Sequence, residues 1–355
     1  MQNGLKVQSL CRPKFHISAR IIEFFQKEGF ELKSALIAFL LLLLVNSISG
    51  VHGVIMGDGT SIGTRDLATS AQEVRVDQLK QLMEKSSENL TKYTLSRSTD
   101  AKLLYANASL QKDFIGTNTE EGKVDLVNQS AWWDTKITDK DSGEVLTWEG
   151  YFVNGSEYWN EHGGWTKFII NNTTQVFDDY NEYPGQVNLI KFSNMKVADL
   201  ERIQGEDFYK LVGSPIEPIL EGMISQQVMA AYLPSPFPMP ENIENRIVDI
   251  DNTSLINSSS VVLTAWVSKD KSLLKRLDIN SSLTITPRIL DISSPDFRIE
   301  STINQSTVYN GFDSPQKIEL PIEAQNKSIQ VKDEYWRWAP DEDWRWTVLG
   351  SSLTG

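Results

Sequence analysis

The stretch Gly150–Phe168, GYFVNGSEYWNEHGGWTKF, contains two tryptophans and four other aromatic residues, and it decides how the rest of the chain is interpreted. Apolar and polar residues alternate along it, and the pairs Asn154-Gly155 and Gly163-Gly164 interrupt the alternation. Asn-Gly between two alternating runs is a strong signal for a two-residue β-hairpin turn. The stretch therefore predicts antiparallel strands that are joined by tight turns.

Both faces of these predicted strands are apolar. Because successive side chains of a strand point to opposite faces, Trp148 and Phe152 share one face while Tyr151 lies on the other. The same rule sends Trp132 and Trp133 in opposite directions. A sheet that is apolar on both faces needs a cover on each of them. A packed core explains most of this pattern, and a hollow of lipid size explains it with fewer unplaced aromatic residues.

Two amphipathic helices interrupt the strand pattern. Apolar residues recur at helical spacing from Gln72 to Lys92 and again after Ser214-Pro215. Between the second helix and the later strands, alternating prolines in LPSPFPMP predict an extended connector. This order predicts an α+β protein with one large, curved antiparallel sheet. Alternating segments that predict strands cover residues 93–110, 123–139, 145–170, 185–213, 245–256, 260–287, 296–312 and 316–321.

The N-terminal region predicts export. Ala35–Val45 is an unbroken apolar run that follows Lys33 and precedes small and polar residues, which is the order of a secretory signal. A membrane-spanning helix needs about 20 apolar residues, so we favour a cleaved signal and keep a retained signal-anchor as the alternative. The predicted organisation is an N-terminal extension with the signal at 1–53, a spacer at 54–71, a folded domain at 72–325 and a tryptophan-rich tail at 326–355.

Asn-x-Ser/Thr sequons are more frequent than chance predicts, and all of them follow the apolar run. Glycans attach to exposed backbone, so the set predicts an external glycoprotein. The single cysteine, Cys11, precedes the apolar run, and the exported part can therefore form no internal disulfide. Together these features indicate an archaeal-type cell-surface or extracellular protein. The candidate glycosylation sites are Asn89, Asn107, Asn128, Asn154, Asn171, Asn172, Asn252, Asn257, Asn280, Asn304 and Asn326.

Composition argues against several classes of function. The net charge of −13 disfavours nucleic-acid binding. His162 is the only histidine after the signal region, which leaves no triad and no histidine-based metal site, so we interpret it as a solvated turn residue. Two carboxylates suffice for a glycosidase, but acid-rich turns are the favoured interpretation on so acidic a protein. We therefore predict no catalytic residues, no metal and no cofactor.

Three segments resemble the LolA-like and LppX/LprG-like lipoprotein-carrier superfamily. GYFVNGSEYWNEHGGWTKF resembles the hairpin that carries the paired tryptophan motif of this superfamily. AWVSKDKSLLKRLDI looks like its tryptophan strand, turn and returning strand, and VYNGFDSPQKIELPIEA looks like its closing segment. The two amphipathic helices fall where that architecture places helices. The resemblance spans about residues 72–324.

The resemblance implies a half-barrel of about 11 antiparallel strands whose concave face is covered by helices around an apolar hollow. It implies binding of a lipid or a lipidated partner without enzymatic activity, and a membrane or cell-surface partner is compatible with it. One alternative is a structural or interaction glycoprotein that uses the fold without a ligand, and another is a carbohydrate-binding or glycosidase-like protein. The candidate residues of the hollow are Trp132, Trp148, Phe152, Trp159, Trp165, Ile219, Leu220, Met223, Ile224, Val228 and Trp266.

Overall fold

A computed structural model describes residues 70–161, 163–170, 177–178, 180–232, 252–289, 296–314 and 317–331. The predicted signal, the greater part of the spacer, the proline-rich connector, His162, the sequons at Asn171 and Asn172, and the tail from residue 332 lie outside these ranges.

One sheet of twelve strands organises the described chain. Its spatial order is β12-β6-β5-β4-β3-β2-β1-β11-β10-β9-β8-β7, and all neighbours are antiparallel except the parallel pair of β12 and β6. The sheet is open and curved into a half-barrel, which confirms the predicted fold class. The strands are β1 Lys92–Asn107, β2 Gln111–Asp125, β3 Ser130–Asp139, β4 Val145–Val153, β5 Ser156–Glu161, β6 Gly164–Ile169, β7 Ser193–Ile203, β8 Glu206–Pro215, β9 Ser259–Ser268, β10 Leu274–Ile285, β11 Phe297–Asn310 and β12 Ile329–Val331.

The hairpins follow the turn chemistry of the sequence. Asn154 and Gly155 both have positive φ angles, 51° and 70°, and they join β4 to β5 as a two-residue turn. Positive φ at both positions suits an Asn-Gly pair, because glycine carries no Cβ and asparagine tolerates this region. The opening stretch is thus the β4–β5–β6 hairpin pair that the alternation predicts.

Five helices are described, and the longer ones lie over one face of the sheet. Helix α1 confirms the predicted first helix, but it starts at Ser70 and ends at Glu88, before the predicted end at Lys92, where β1 begins. Helix α3 confirms the predicted mid-chain helix. The backbones of α1 to α4 lie closest to β7 to β11, while α2 and α3 also reach β1, where Arg97 pairs with Glu182 and Tyr105 donates to the Ala231 carbonyl. The helices are α1 Ser70–Glu88, α2 Glu182–Lys191, α3 Glu217–Tyr232, α4 Asn252–Asn257 and α5 Ile322–Lys327.

Two segments that were predicted as strands are helical. Residues 185–191 belong to α2, whose buried positions include Tyr183, Val187 and Ile190 at helical spacing. The apparent alternation of Val187 and Leu189 had suggested a strand. Residues 252–256 form most of α4. Conversely, most of β2 was not predicted, because its alternating positions are not apolar.

The end of the sheet also differs from the predicted domain boundary at residue 325. That boundary would fall inside α5, and β12 continues the sheet by pairing with β6 through Ile329↔Thr166 and Val331↔Phe168. The sheet therefore extends at least to Val331, into the region that was assigned to the tail. The described ranges contain twelve strands, against the about 11 that the resemblance implied.

Candidate ligand site on the inner face

The face of the sheet that carries the helices is called the inner face here, and the opposite one the outer face. Cross-strand register assigns each side chain to one of them, because paired residues share a face. On β1 the odd-numbered residues from Tyr93 to Tyr105 point inward, and all of them are buried. Their partners Val124 on β2 and Tyr309 on β11 are buried as well.

Eight of the eleven predicted residues of the hollow belong to the inner side. Register places Trp148, Phe152 and Trp159 on the inner face of β4 and β5. The side chains of α3 belong to the same side, because Gln227 of α3 donates to Ser301 Oγ on the inner face of β11 at 3.0 Å. Ile219 joins Phe152 in one apolar cluster, with Leu220 and Met223 packed against it, and Ile224 and Val228 are fully buried.

Trp132 and Trp165 lie on the outer face, which corrects their assignment to the hollow. Trp132 pairs with Tyr151 and Trp165 with Asn160, and both of these partners point outward. Trp165 packs with Tyr151 in an outer cluster that the C-terminal segment around α5 covers. This cover meets the need for protection of the second apolar face.

Trp266 also lies on the outer face, which is a third correction. Its indole ring lies between Arg276, 4.6 Å from the ring centre, and Lys210, 5.5 Å from it, and its Nε1 donates to Glu201 Oε2 at 2.8 Å. These contacts form a cation–π stack on the strands that flank β9. Trp266 therefore stabilises the outside of the sheet rather than lining the hollow.

Aromatic rings close one end of the inner face. Trp133 stacks on Tyr180 with ring centres 4.4 Å apart and meets Trp159 edge-on at 6.2 Å. Phe152 packs against Phe177 and Tyr180 at 5.7 Å and 5.6 Å. Sequence reasoning did not select Trp133, although its neighbour Trp132 was selected and only one of the two can face inward.

A buried ion network lies on the inner face of the central strands. The Arg97 guanidinium, whose side chain is 4% exposed, binds Glu120 of β2 at 3.3 Å and also pairs with Glu182 at the start of α2. Arg97 Nε donates to Thr307 Oγ1 at 3.4 Å, and the Tyr309 hydroxyl donates to Glu182 at 3.2 Å. The network therefore ties α2 to three adjacent strands.

Burial and the neighbouring charges together explain the pKa shifts of this network. Burial raises the pKa of Glu120, and Arg97 only partly opposes this effect. Burial opposes the charge of Arg97, but the carboxylates of Glu120 and Glu182 raise its pKa. Burial also raises the pKa of Tyr309 well above its ordinary value. Both carboxylates bind one guanidinium, an arrangement that suits a structural ion network better than a free acid–base pair.

Next to the ion network is a set of buried side chains that we call the polar row: Thr99 of β1, Asn118 of β2 and Gln305 of β11. Thr99 is paired in register with both of the others, so the three lie side by side. They are at most 3% exposed, yet Thr99 Oγ1, Asn118 Oδ1 and Gln305 Oε1 have no hydrogen-bond partner. Buried polar atoms without a partner are uncommon, since each costs about 1–3 kcal/mol.

On the side of the polar row away from the ion network, the inner face carries small side chains that extend less far from the sheet. Ala101 and Gly116 are paired on β1 and β2, and we call this pair the low row. Ile303 of β11 follows across the sheet, and then Ser281 of β10, whose Oγ donates to Gln227 Oε1 of α3 at 2.6 Å. Small side chains leave more room between a sheet and whatever lies over it. Beyond them the face is apolar again, with Leu103 and other buried residues that comprise Tyr105, Phe114, Leu283 and Ile299.

Sequence reasoning missed the ion network and the polar row. Their residues lie at alternate positions of predicted or observed strands, where a core position is expected to be apolar. For β1 the signal was available: Arg97 and Thr99 have the same parity as Leu95 and Leu103, and all four share the inner face. A polar pair within an otherwise apolar strand face marks a buried polar site.

The sequon asparagines that the structure describes with their side chains are all exposed. Asn280 and Asn304 are paired in register on the outer face, and Asn154 lies in the β4–β5 turn. Glycans at these positions would leave the inner face free. The complete exposed set is Asn89, Asn107, Asn128, Asn154, Asn257, Asn280, Asn304 and Asn326.

Two further searches of the described ranges found no candidate. No helix there has the length and apolar character to cross a membrane. Within the same ranges, no cluster of three or more histidine, cysteine, aspartate or glutamate side chains is arranged to hold a metal ion.

No protein-family model and no curated protein sequence matches the chain. Among solved structures, it is similar to LprF from Mycobacterium bovis, with 11% identity, a TM-score of 0.38 and coverage of 70% of this chain and 97% of that one. The Mycobacterium tuberculosis lipoprotein LppX has 11% identity and a TM-score of 0.34, with coverage of 70% of this chain and 100% of that one. A LolA superfamily protein from Nitrosomonas europaea has 10% identity and a TM-score of 0.19, with coverage of 68% of this chain and 94% of that one. These structures include members of the superfamily that the sequence motifs resemble. The likeness carries no information about a ligand.

Proposed function

We propose that this is an extracytoplasmic, non-catalytic binding protein that holds an apolar ligand between the inner face of the sheet and the helices. The observation that carries the proposal is the extent of the apolar inner face. The backbones of the described helices lie closest to β7 to β11, whereas buried apolar side chains continue across β1 to β3, for example Leu103, Phe114 and Ile137. A lipid acyl chain or the lipid part of a modified protein would match this surface.

The low row at Ala101 and Gly116 is the proposed location of the ligand chain. Each methylene group removed from water contributes about 0.8 kcal/mol, so a ten-carbon chain gains about 8 kcal/mol before costs. Ordering of the ligand and of side chains, together with loss of overall freedom, offsets a large part of this gain. A gain of about 8 kcal/mol corresponds to a Kd of about 1 μM, so after these costs a ten-carbon chain should bind more weakly than that, which allows loading and release.

One feature supports a non-catalytic role. The carboxylates of the ion network are bound to Arg97 and, for Glu182, to the Tyr309 hydroxyl, which suits a structural role for them. The predicted signal and the exposed sequons support the extracytoplasmic location. In this proposal the glycans occupy the outer face and the ligand occupies the inner face.

The experiment uses the full chain and N-phenyl-1-naphthylamine, an uncharged apolar dye that becomes fluorescent out of water. Wild-type protein is expected to bind the dye saturably. Ala101→Phe places a ring in the low row and should abolish dye binding without a large loss of stability, because in this proposal the ring takes the place of the ligand chain. The matched control is Thr117→Phe, which places the same ring on the outer face of β2, since Thr117 pairs with the outward Asp100.

The alternative of a structural module without a ligand predicts the opposite pattern. In a solidly packed interior, Ala101→Phe overpacks the core and lowers the free energy of unfolding by about 1–3 kcal/mol. That loss, combined with no saturable dye binding by wild type, would refute the proposal.

A further inference from the structure

We propose that the polar row binds hydroxyl groups in the head of the ligand, so that the ligand class is an uncharged, hydroxyl-bearing amphiphile such as an acylglycerol or an uncharged glycolipid. This inference rests on the proposed function, because it assumes that an apolar chain occupies the adjacent inner face. It adds the chemistry of the head, and it assigns a ligand-binding role to Thr99, Asn118 and Gln305.

The first support is the set of unpaired atoms. Thr99 Oγ1, Asn118 Oδ1 and Gln305 Oε1 point to one side of three adjacent strands and lack partners. Gln305 Nε2 reaches Thr307 Oγ1 at 3.4 Å, which leaves its oxygen open. A protein that only needed a core here would gain stability from apolar residues of the same shape. Retaining three polar residues side by side indicates a partner that supplies hydrogen bonds.

The second support is the number of acceptors. Two carboxamide oxygens need a donor, and the threonine hydroxyl can donate or accept. A ligand hydroxyl group also donates and accepts, so it can bond to each of the three side chains whichever way the carboxamides are turned. Ester and ether oxygens only accept, and they cannot satisfy Asn118 Oδ1 or Gln305 Oε1.

The third support is charge. One residue further along each strand face lie Arg97 and Glu120, and Glu182 approaches from α2. With both carboxylates ionised, this network has one guanidinium against two carboxylates, a net charge of −1. A phosphate or carboxylate head would be repelled at this depth, where charge interactions are only weakly screened. An uncharged head meets no such penalty.

The fourth support is position. Along β1, Arg97 lies beneath the start of α2, whereas Tyr105 donates to the Ala231 carbonyl of α3 at 2.8 Å. Thr99 and Ala101 come between these two attachment points. A head at Thr99 would therefore place its chain over Ala101 and on toward the apolar residues around Leu103, in continuous contact with one strand face.

The test compares three ligands that share a ten-carbon acyl chain: monodecanoylglycerol, methyl decanoate and decanoate. Each is titrated against the dye complex of the full chain. Wild type is expected to bind monodecanoylglycerol about tenfold more tightly than methyl decanoate, the effect of one or two net hydrogen bonds. Decanoate should bind more weakly than monodecanoylglycerol.

The variant for this test replaces the polar row by apolar residues of similar shape, Thr99→Val with Asn118→Leu and Gln305→Met. It should keep its affinity for methyl decanoate and lose the tenfold preference for the glycerol head. The matched control is Thr117→Val on the outer face of β2, which should keep that preference. Thr99→Val alone should reduce the preference in the same direction, which keeps the test valid if the triple variant does not fold.

The outcomes separate the two proposals. If wild type binds both uncharged ligands but the preference is absent, or survives in the apolar variants, the hydroxyl site is refuted while the proposed function stands. If neither the dye nor any of the three ligands binds, the proposed function is refuted and the hydroxyl site with it.

Discussion

Gly150→Ala gives a sharp test of the aromatic end of the inner face. A Cβ added at Gly150 would lie 2.2 Å from Cε2 and Cζ2 of Trp133 and 2.6 Å from its Nε1. Ordinary carbon contacts are about 3.5–4.0 Å, so the indole would have to move by at least about 1.3 Å. Tyr180 stacks on the same ring at 4.4 Å with planes only 20° apart. The ring therefore has little freedom to give way.

We expect Gly150→Ala to lower the free energy of unfolding by about 2 kcal/mol, within the range for overpacked cores. For a domain of this size, the melting temperature should fall by about 4–8 °C. The assay is thermal and urea unfolding followed by circular dichroism. Thr147→Ala is the matched control: it truncates an exposed side chain on the outer face of the same strand, and we expect little change.

A double-mutant cycle isolates the contact. In the Trp133→Leu background the indole is gone, so the added methyl group of Gly150→Ala should cost much less than in wild type. The coupling energy should exceed about 1 kcal/mol. Additive effects, or a Gly150→Ala protein as stable as wild type, would contradict the inward orientation of Trp133 over Gly150.

Three further predictions concern the ion network and the sheet edges. Arg97→Met should destabilise by about 3 kcal/mol at pH 7, because two partly buried carboxylates lose their partner. The loss should shrink in acid, because burial raises the pKa of Glu120 and its protonated form needs no cation; an equal loss at neutral and acid pH in urea unfolding would contradict this cause. Gly213→Ala should weaken the pairing of β7 with β8 and speed amide hydrogen exchange in β7, because the new Cβ would lie 2.1 Å from the Asn194 carbonyl oxygen. Unchanged exchange rates across β7 would count against this prediction. Asp313→Asn should cost about 1 kcal/mol at pH 7, because hydrogen bonds from Thr91 to the carboxylate lower the pKa of Asp313; this stabilisation is lost as the pH falls through that lowered pKa, and a cost that persists in acid would argue against it.

The hairpins and the mid-chain helix could be predicted because their signals are local. Asn154-Gly155 suits a turn with two positive φ angles wherever it lies, and the apolar stripe of α3 repeats at helical spacing. The first half of α2 was harder to recognise, because Pro184 and Gly185 are poor helix formers and Val187 and Leu189 also fit a strand. Tertiary packing decides that segment.

Strand β2, which contributes a residue to the ion network, to the polar row and to the low row, was the least visible strand in the sequence. The inner positions of β2 are Gly116, Asn118, Glu120 and Gly122, so its alternation contains no apolar face over most of its length. These positions are polar or small because they contribute to the ion network, the polar row and the low row. The feature that makes β2 interesting for function therefore removed its strand signal.

The wrong placement of three tryptophans has a different cause. Alternation shows which residues share a face but not which face is the inner one. For Trp165 the information was present, because a two-residue turn after Glu161 pairs Trp159 with Thr166 and sends Trp165 to the opposite face. For Trp266 it was not, because its face depends on how the β9–β10 hairpin pairs with β8, which is distant in the sequence.

Native mass spectrometry tests the central claim most directly. The full chain is purified from cells without detergent, so that a lipid bound in the cell is retained. We expect the protein to carry an additional mass that dissociates on gentle activation and that fragments as an uncharged, hydroxyl-bearing lipid, and we expect Ala101→Phe to lack it. A wild-type spectrum that shows only the bare protein and its glycans, from a sample that also fails to take up monodecanoylglycerol, would contradict the account.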